Sequence, residues 1–231
     1  MVPAVHHRTA TVDGLQVFYR EAGDPNAPAM VLLHGFPTSS HMFRHLIPAL
    51  ADRYHVVAPD HIGFGQSAMP SPQDFPYTFD ALTEVTSGLL QQLGIDRFAM
   101  YVQDLTLETT RRQYVNGVAD PSLVSPDNWL HDQALFDRPG NDGIQLKLFR
   151  DCPTNVDLHP KVHRYFRDSQ VPLLAVWGAN DEIFGSDGAT AFRQDLPEAE
   201  IHLLESGHFA LESHLDTITA HIRDFLARVL A

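Results

Sequence analysis

Met30-Val31-Leu32-Leu33-His34-Gly35-Phe36-Pro37 decides how the chain folds. A short apolar run of this kind fits a strand covered on both faces, and Gly35 lets the backbone leave it sharply and turn amide groups into a site. Working outward, residues 15–20, 54–58 and 98–102 read as further strands, with Pro59-Asp60 ending the second. Between the last two, Leu82, Val85, Leu89, Leu90 and Leu93 recur at helical spacing behind a Thr78 cap, and Gly94 closes the helix. The pattern returns after Val171-Pro172, with strands at 173–177 and 200–204. Leu215, Ile218, Ile222, Phe225, Leu226 and Val229 then mark one face of a terminal helix. Such alternation predicts an α/β fold, mostly parallel, with helices on both faces of the sheet.

Composition restricts the function classes. The 231 residues, 44% of them hydrophobic, suffice for one sizeable core. A net charge of −13 repels nucleic acid and anionic membrane surfaces, so neither is expected as a partner. The N-terminus lacks an apolar signal core and no stretch approaches a membrane span, so a cytoplasmic protein is the expectation. Cys152 is the only cysteine, which rules out an internal disulfide. Fourteen histidines raise a metal reading, and His41 and His45 stand at i, i+4, but no third ligand accompanies them and no metal or other cofactor is expected.

Four segments carry a resemblance: the His34-Gly35-Phe36-Pro37 turn, Tyr101-Val102-Gln103-Asp104, Trp177-Gly178-Ala179-Asn180-Asp181-Glu182, and Gly207-His208-Phe209-Ala210. Together they resemble the α/β-hydrolase superfamily, in the branch of epoxide hydrolases and haloalkane dehalogenases, whose nucleophile is an aspartate. The resemblance implies Asp104 as nucleophile, His208 as base, Asp181 as the residue orienting His208, and the amides of Phe36 and Leu105 as oxyanion donors. The order nucleophile, acid, histidine is that of the hydrolase fold. His34 and Asp60 are expected to brace loops around the site. Lid tyrosines protonate the opening oxygen in epoxide hydrolases, which points to Tyr114 or Tyr165, with Trp129 lining the pocket. Phe36 and Leu105 stand where dehalogenases usually place asparagine and tryptophan. Epoxide hydrolysis is therefore the leading expectation and dehalogenation the next, on a small apolar organic substrate. No Gly-x-Ser-x-Gly occurs, which disfavours a serine hydrolase.

The same resemblance exposes a break. Relatives continue from the nucleophile into a glycine, a long helix and another strand, whereas Asp104 here runs into Leu105-Thr106-Leu107-Glu108. The expected domain plan is a hydrolase core at 1–104 and 171–231, with a partial, truncated helical lid at 105–170. Within that lid, short helices are expected at 108–115, 144–149 and 162–168, separated by turns such as Cys152-Pro153. Thr106 stands where the nucleophile turn calls for glycine, so a catalytically impaired protein with a binding or structural role is the alternative. Loss of a strand also predicts that the strands at 98–102 and 173–177 become neighbours or leave open edges.

Overall fold

The computed structural model describes residues 3–102 and 110–230. Asp104, Leu105 and Thr106 lie outside the described residues. By its internal contacts the chain forms two compact units, Met1–Thr106 with His131–Cys152, and Leu107–Leu130 with Pro153–Ala231.

The first unit is built on five strands, β1 (His6–Val12), β2 (Leu15–Ala22), β3 (Ala29–Leu33), β4 (His55–Pro59) and β5 (Phe98–Val102), in the order β1-β2-β4-β3-β5. The sheet is mixed: β3 pairs in parallel with β4 and β5, while β2 is antiparallel to both β1 and β4. The sequence pattern does not mark β1. Asp13 and Gly14 take φ of 49° and 81° in its two-residue hairpin, the left-handed backbone that an Asp-Gly pair supplies for such a turn. Helix α1 (Leu46–Leu50) precedes β4, and α2 (Phe79–Gln92) follows it. Thr78 accepts from the Ala81 amide as the N-cap of α2, and Leu82, Val85, Leu89 and Leu90 are buried on its inner face. They meet Val31, Val57, Ile62, Phe64 and Tyr77 in one core.

The expected lid is more helical than the turn signals imply. Helix α3 (Thr110–Val115) and α4 (Pro126–Phe136) are followed by α5 (Asn141–Ser169), a single 29-residue helix where two short ones were expected. Pro153 and Pro160 both lie inside it. A proline in a helix interior costs about 3 kcal/mol. Within the first unit Ile144 and Leu148 of this helix join the core, and within the second His163 and Arg167 pair with Asp195.

The second unit carries a parallel pair, β6 (Leu174–Gly178) and β7 (Glu200–Leu204), in a sheet of its own. Between them runs α6 (Asp187–Ala191); α7 (Ala210–Ser213) and α8 (Leu215–Val229) follow. Ile218, Ile222 and Leu226 form the buried stripe of α8, as the spacing predicts. Among the described residues β5 pairs with β3 in the first unit's sheet, and β6 with β7 in the second's. Phe98, Met100 and Val102 on one face of β5 are 40%, 58% and 62% exposed. Among the described residues no helix is long and apolar enough to cross a membrane.

Candidate active site

In the second unit the turns after β6 and β7 are pressed together by glycines. The Ala179 and Asn180 amides donate to the carbonyls of Leu204 and Ser206. A Cβ on Gly178 would meet the Gly207 carbonyl at 2.1 Å, and one on Gly207 would meet that of Asn116 at 1.8 Å. Only glycine permits backbones this close. The approach aligns Asp181 and His208: His208 Nδ1 is 2.8 Å from Asp181 Oδ2, and each side chain is 5% exposed. Asp181 Oδ1 accepts from the amides of Ile183 and Phe184 at 2.8 and 3.0 Å, which fixes the carboxylate's rotation. Burial works to raise the Asp181 pKa, but the bonds from His208 and these two amides outweigh it and hold the carboxyl below its usual range. An ionised Asp181 accepting at Oδ2 holds the imidazole as the Nδ1–H tautomer, turning Nε2 outward from the pair.

The same turn is held from the side. Glu182 accepts from Asn116 Nδ2 at 3.0 Å and Arg112 at 3.3 Å, and Asn180 Nδ2 reaches the Gly117 carbonyl. A cavity of about 10 Å³, lined by Arg112, Asn116, Glu182, Ile183 and His208, has room for one water at most. Tyr114 is 2% exposed, with its ring stacked on Phe209 at 3.9 Å, and Trp129 lies 6.2 Å from Tyr114. Tyr114 thus packs beneath the histidine turn, while Tyr165 is 57% exposed. Sequence reading missed Asn116, Gly117 and Arg112, which nothing local in the sequence links to the turns they hold.

In the first unit, Thr38 closes the turn after β3 by donating both its amide and its hydroxyl to the Gly35 carbonyl. Among the described residues the Phe36 amide has no hydrogen-bond partner, and the Phe36 ring packs edge-on to Phe136 and Phe149. His34 bonds within this turn, and Asp60 ties the segments at Ser40 and Gln66. His34 Nδ1 bonds the Gly35 carbonyl and its Nε2 accepts from the His61 amide at 3.0 Å. Burial, opposed only in part by the Gly35 bond, pushes the His34 pKa down to about 4. Asp60 Oδ1 accepts from Ser40 N and its Oδ2 from Gln66 N, both at 2.7 Å. His41 and His45 do not share a helical face, because residues 40–43 form a 3-10 helix. Among the described residues no three metal-binding side chains cluster.

An α/β fold with a buried acid–histidine pair at adjoining strand ends defines a class, the α/β hydrolases. The sequence pattern described as alpha/beta hydrolase fold matches residues 28–105. An uncharacterized hydrolase of Saccharomyces cerevisiae is 35% identical over 282 positions, covering 96% of this chain and 97% of its own. This chain belongs to the α/β-hydrolase fold family. Epoxide hydrolase A of Mycobacterium tuberculosis is 43% identical over 91 residues, which is 39% of this chain and 28% of that protein. Haloalkane dehalogenases also match over part of the chain. The crystal structure of a haloalkane dehalogenase from Bradyrhizobium elkani superposes with a TM-score of 0.79 over 98% of each chain at 22% identity, which supports the fold. The yeast alignment spans 282 positions against 231 residues here, so at least 51 positions of that relative (282 − 231) have no counterpart in this chain. The family pattern stops at residue 105, beside the expected break.

Proposed function

We propose that this hydrolase works through an aspartate nucleophile and a covalent alkyl ester, with an epoxide as the leading substrate class and an alkyl halide as the next. The observation that carries the reading is the buried Asp181–His208 pair, with the carboxylate fixed by two backbone amides. In this reading the Asp104 carboxylate attacks a substrate carbon. A C–O bond forms as the epoxide C–O or carbon–halogen bond breaks, and the leaving oxygen takes a proton or halide departs. His208 Nε2 then removes a proton from water as the water oxygen adds to the ester carbonyl, and Asp181 stabilises the imidazolium that forms. The amides of Phe36 and Leu105 donate to the oxyanion; as it collapses the ester C–O bond breaks and the His208 imidazolium returns its proton to the departing alkoxide, freeing Asp104 and the alcohol. The water-sized cavity lined by His208 agrees with a hydrolytic role for that residue.

In this mechanism His208 serves only the second half, so His208→Gln should let the ester accumulate. Incubating that variant with a small epoxide or alkyl halide should add the substrate's mass to the protein, on the peptide containing Asp104, and Asp104→Ala should abolish the adduct. Turnover by the unsubstituted protein without any adduct in His208→Gln would overturn the aspartyl-ester reading. A second reading, a catalytically impaired fold with a binding role, is favoured by the 51 or more absent positions and by Thr106 at the nucleophile turn. Absence of both turnover and adduct across a broad panel would support it.

A further inference from the structure

The net charge of −13 makes a gathering of basic side chains on this chain unusual, and in the first unit two arginines and several histidines come together from segments far apart in sequence. Arg20 on β2 is half-buried, and its guanidinium reaches Ser40 Oγ at 3.1 Å through Nε and His7 Nε2 at 2.6 Å. No carboxylate lies within ion-pair distance of it among the described residues, although Asp60 acts on it from farther away. Asp60 itself is occupied by the Ser40 and Gln66 amides. Next to Ser40, the His41 ring packs against that of His131 on α4, with centroids 4.2 Å apart and planes 34° from parallel. Arg44 donates to the His41 carbonyl at 3.3 Å, and exposed His45 follows it.

These groups share one field. His41 is pushed down to about 3, first by burial and then by His131, Arg44, Arg20 and His45. His131 is lowered by burial, Arg20 and Arg44, against the opposing pull of Asp60. Burial first, and the two arginines after it, disfavour protonation of these two imidazoles. A buried or half-buried arginine normally finds a carboxylate, and a closely packed, tilted pair of neutral imidazoles beside it is a reserve of proton-binding capacity. What would satisfy both is an anion from outside: it would give the Arg20 guanidinium a charge-assisted partner and let His41 and His131 take up protons.

We propose that Arg20, His41, Arg44 and His131, rimmed by His7 and His45, form a binding site for a small oxyanion, of which inorganic phosphate, a phosphoryl group or a carboxylate are the accessible chemistries. The site is independent of the hydrolytic reading, since none of its residues has a role in that reaction. Because binding draws protons onto His41 and His131, it should tighten as pH falls from 8 to 6.

Titrating the full chain with inorganic phosphate, followed by calorimetry and by the histidine ring resonances, tests this without any assay of activity. The expected result is saturable one-site binding, at least threefold tighter at pH 6 than at pH 8, with the His41 and His131 resonances titrating at higher pH when phosphate is present. Acetate in place of phosphate separates recognition of carboxylates from that of phosphoryl groups. Arg20→Gln should weaken binding about tenfold, equal to about 1.4 kcal/mol. His131→Gln should reduce the pH dependence while leaving binding at pH 8 nearly unchanged. Circular dichroism and thermal melts of both variants distinguish lost binding from lost fold. A response to phosphate that does not saturate, or one that persists unchanged in a folded Arg20→Gln, would overturn the proposal.

Discussion

His34 makes the stability of the first unit sensitive to mild acid. Its ring is 4% exposed, and Nε2 must stay unprotonated to accept from the His61 amide. Burial holds its pKa near 4, whereas in the unfolded chain a histidine titrates near 6.5. The folded value is depressed, so the stability is fully present above about pH 6.5 and is lost as pH falls from there towards about 4. In that window the unfolded chain binds a proton that the folded chain refuses. At about pH 5.0 the penalty is about 1.5 pH units at 1.36 kcal/mol each, or about 2 kcal/mol. That is a large fraction of the roughly 5–15 kcal/mol that holds a domain folded. His61, also pushed down by burial and by His34, acts in the same direction, as do His41 and His131. The test is therefore a difference: urea unfolding at pH 7.5 and 5.0, for the unsubstituted chain and for His34→Gln, which keeps a neutral donor and acceptor. The unsubstituted chain should lose about 2 kcal/mol more between the two pH values than the variant. Equal losses in the two proteins would refute the argument, because they would mean that His34 is protonated in the fold or solvated well enough not to matter.

Three further outcomes follow from the geometry. Gly207→Ala would place a methyl 1.8 Å from the Asn116 carbonyl, so it should cost about 3 kcal/mol, at the upper end for overpacking; an unshifted melting temperature would contradict the close approach. Asp181→Asn keeps an oxygen for the Ile183 and Phe184 amides but turns an NH2 towards His208, so turnover should fall about a hundredfold with the melting curve nearly unchanged, and undiminished kinetics would remove Asp181 from the mechanism. The face of β5 that exposes Phe98, Met100 and Val102, on a strand paired among the described residues only with β3, should make the chain self-associate as its concentration rises, with Met100→Lys shifting sedimentation towards monomer; a monomer at all concentrations without the substitution would count against this.

The strand at 98–102 and the helix capped by Thr78 were legible because each rests on a short-range pattern, apolar run or capping side chain, that the fold keeps. β1 was not, because five of its seven residues are exposed or nearly so and carry no apolar signal; Asp13-Gly14 was the available clue. α5 was read as two pieces since proline is a local rule, and the helix continues through both prolines. At the candidate site, Asp181 and His208 could be read from their turns, and the structure brings them together. Their support by Gly117, Asn116 and Arg112 could not, because those contacts cross some 60 to 90 positions of sequence. The bond of Arg20 to His7 and its field at His131 are non-local in the same way.

Asp60 ties two segments with one carboxylate, since its oxygens take the Ser40 amide and the Gln66 amide at the same distance. Neither loop can release its own bond by rotating that side chain without straining the other. Exchange of the Ser40 and Gln66 amide hydrogens with solvent is thereby coupled: a single excursion of the Asp60 side chain, 2% exposed, uncovers both. The two amides are expected to share one opening free energy and to lose protection together in Asp60→Asn.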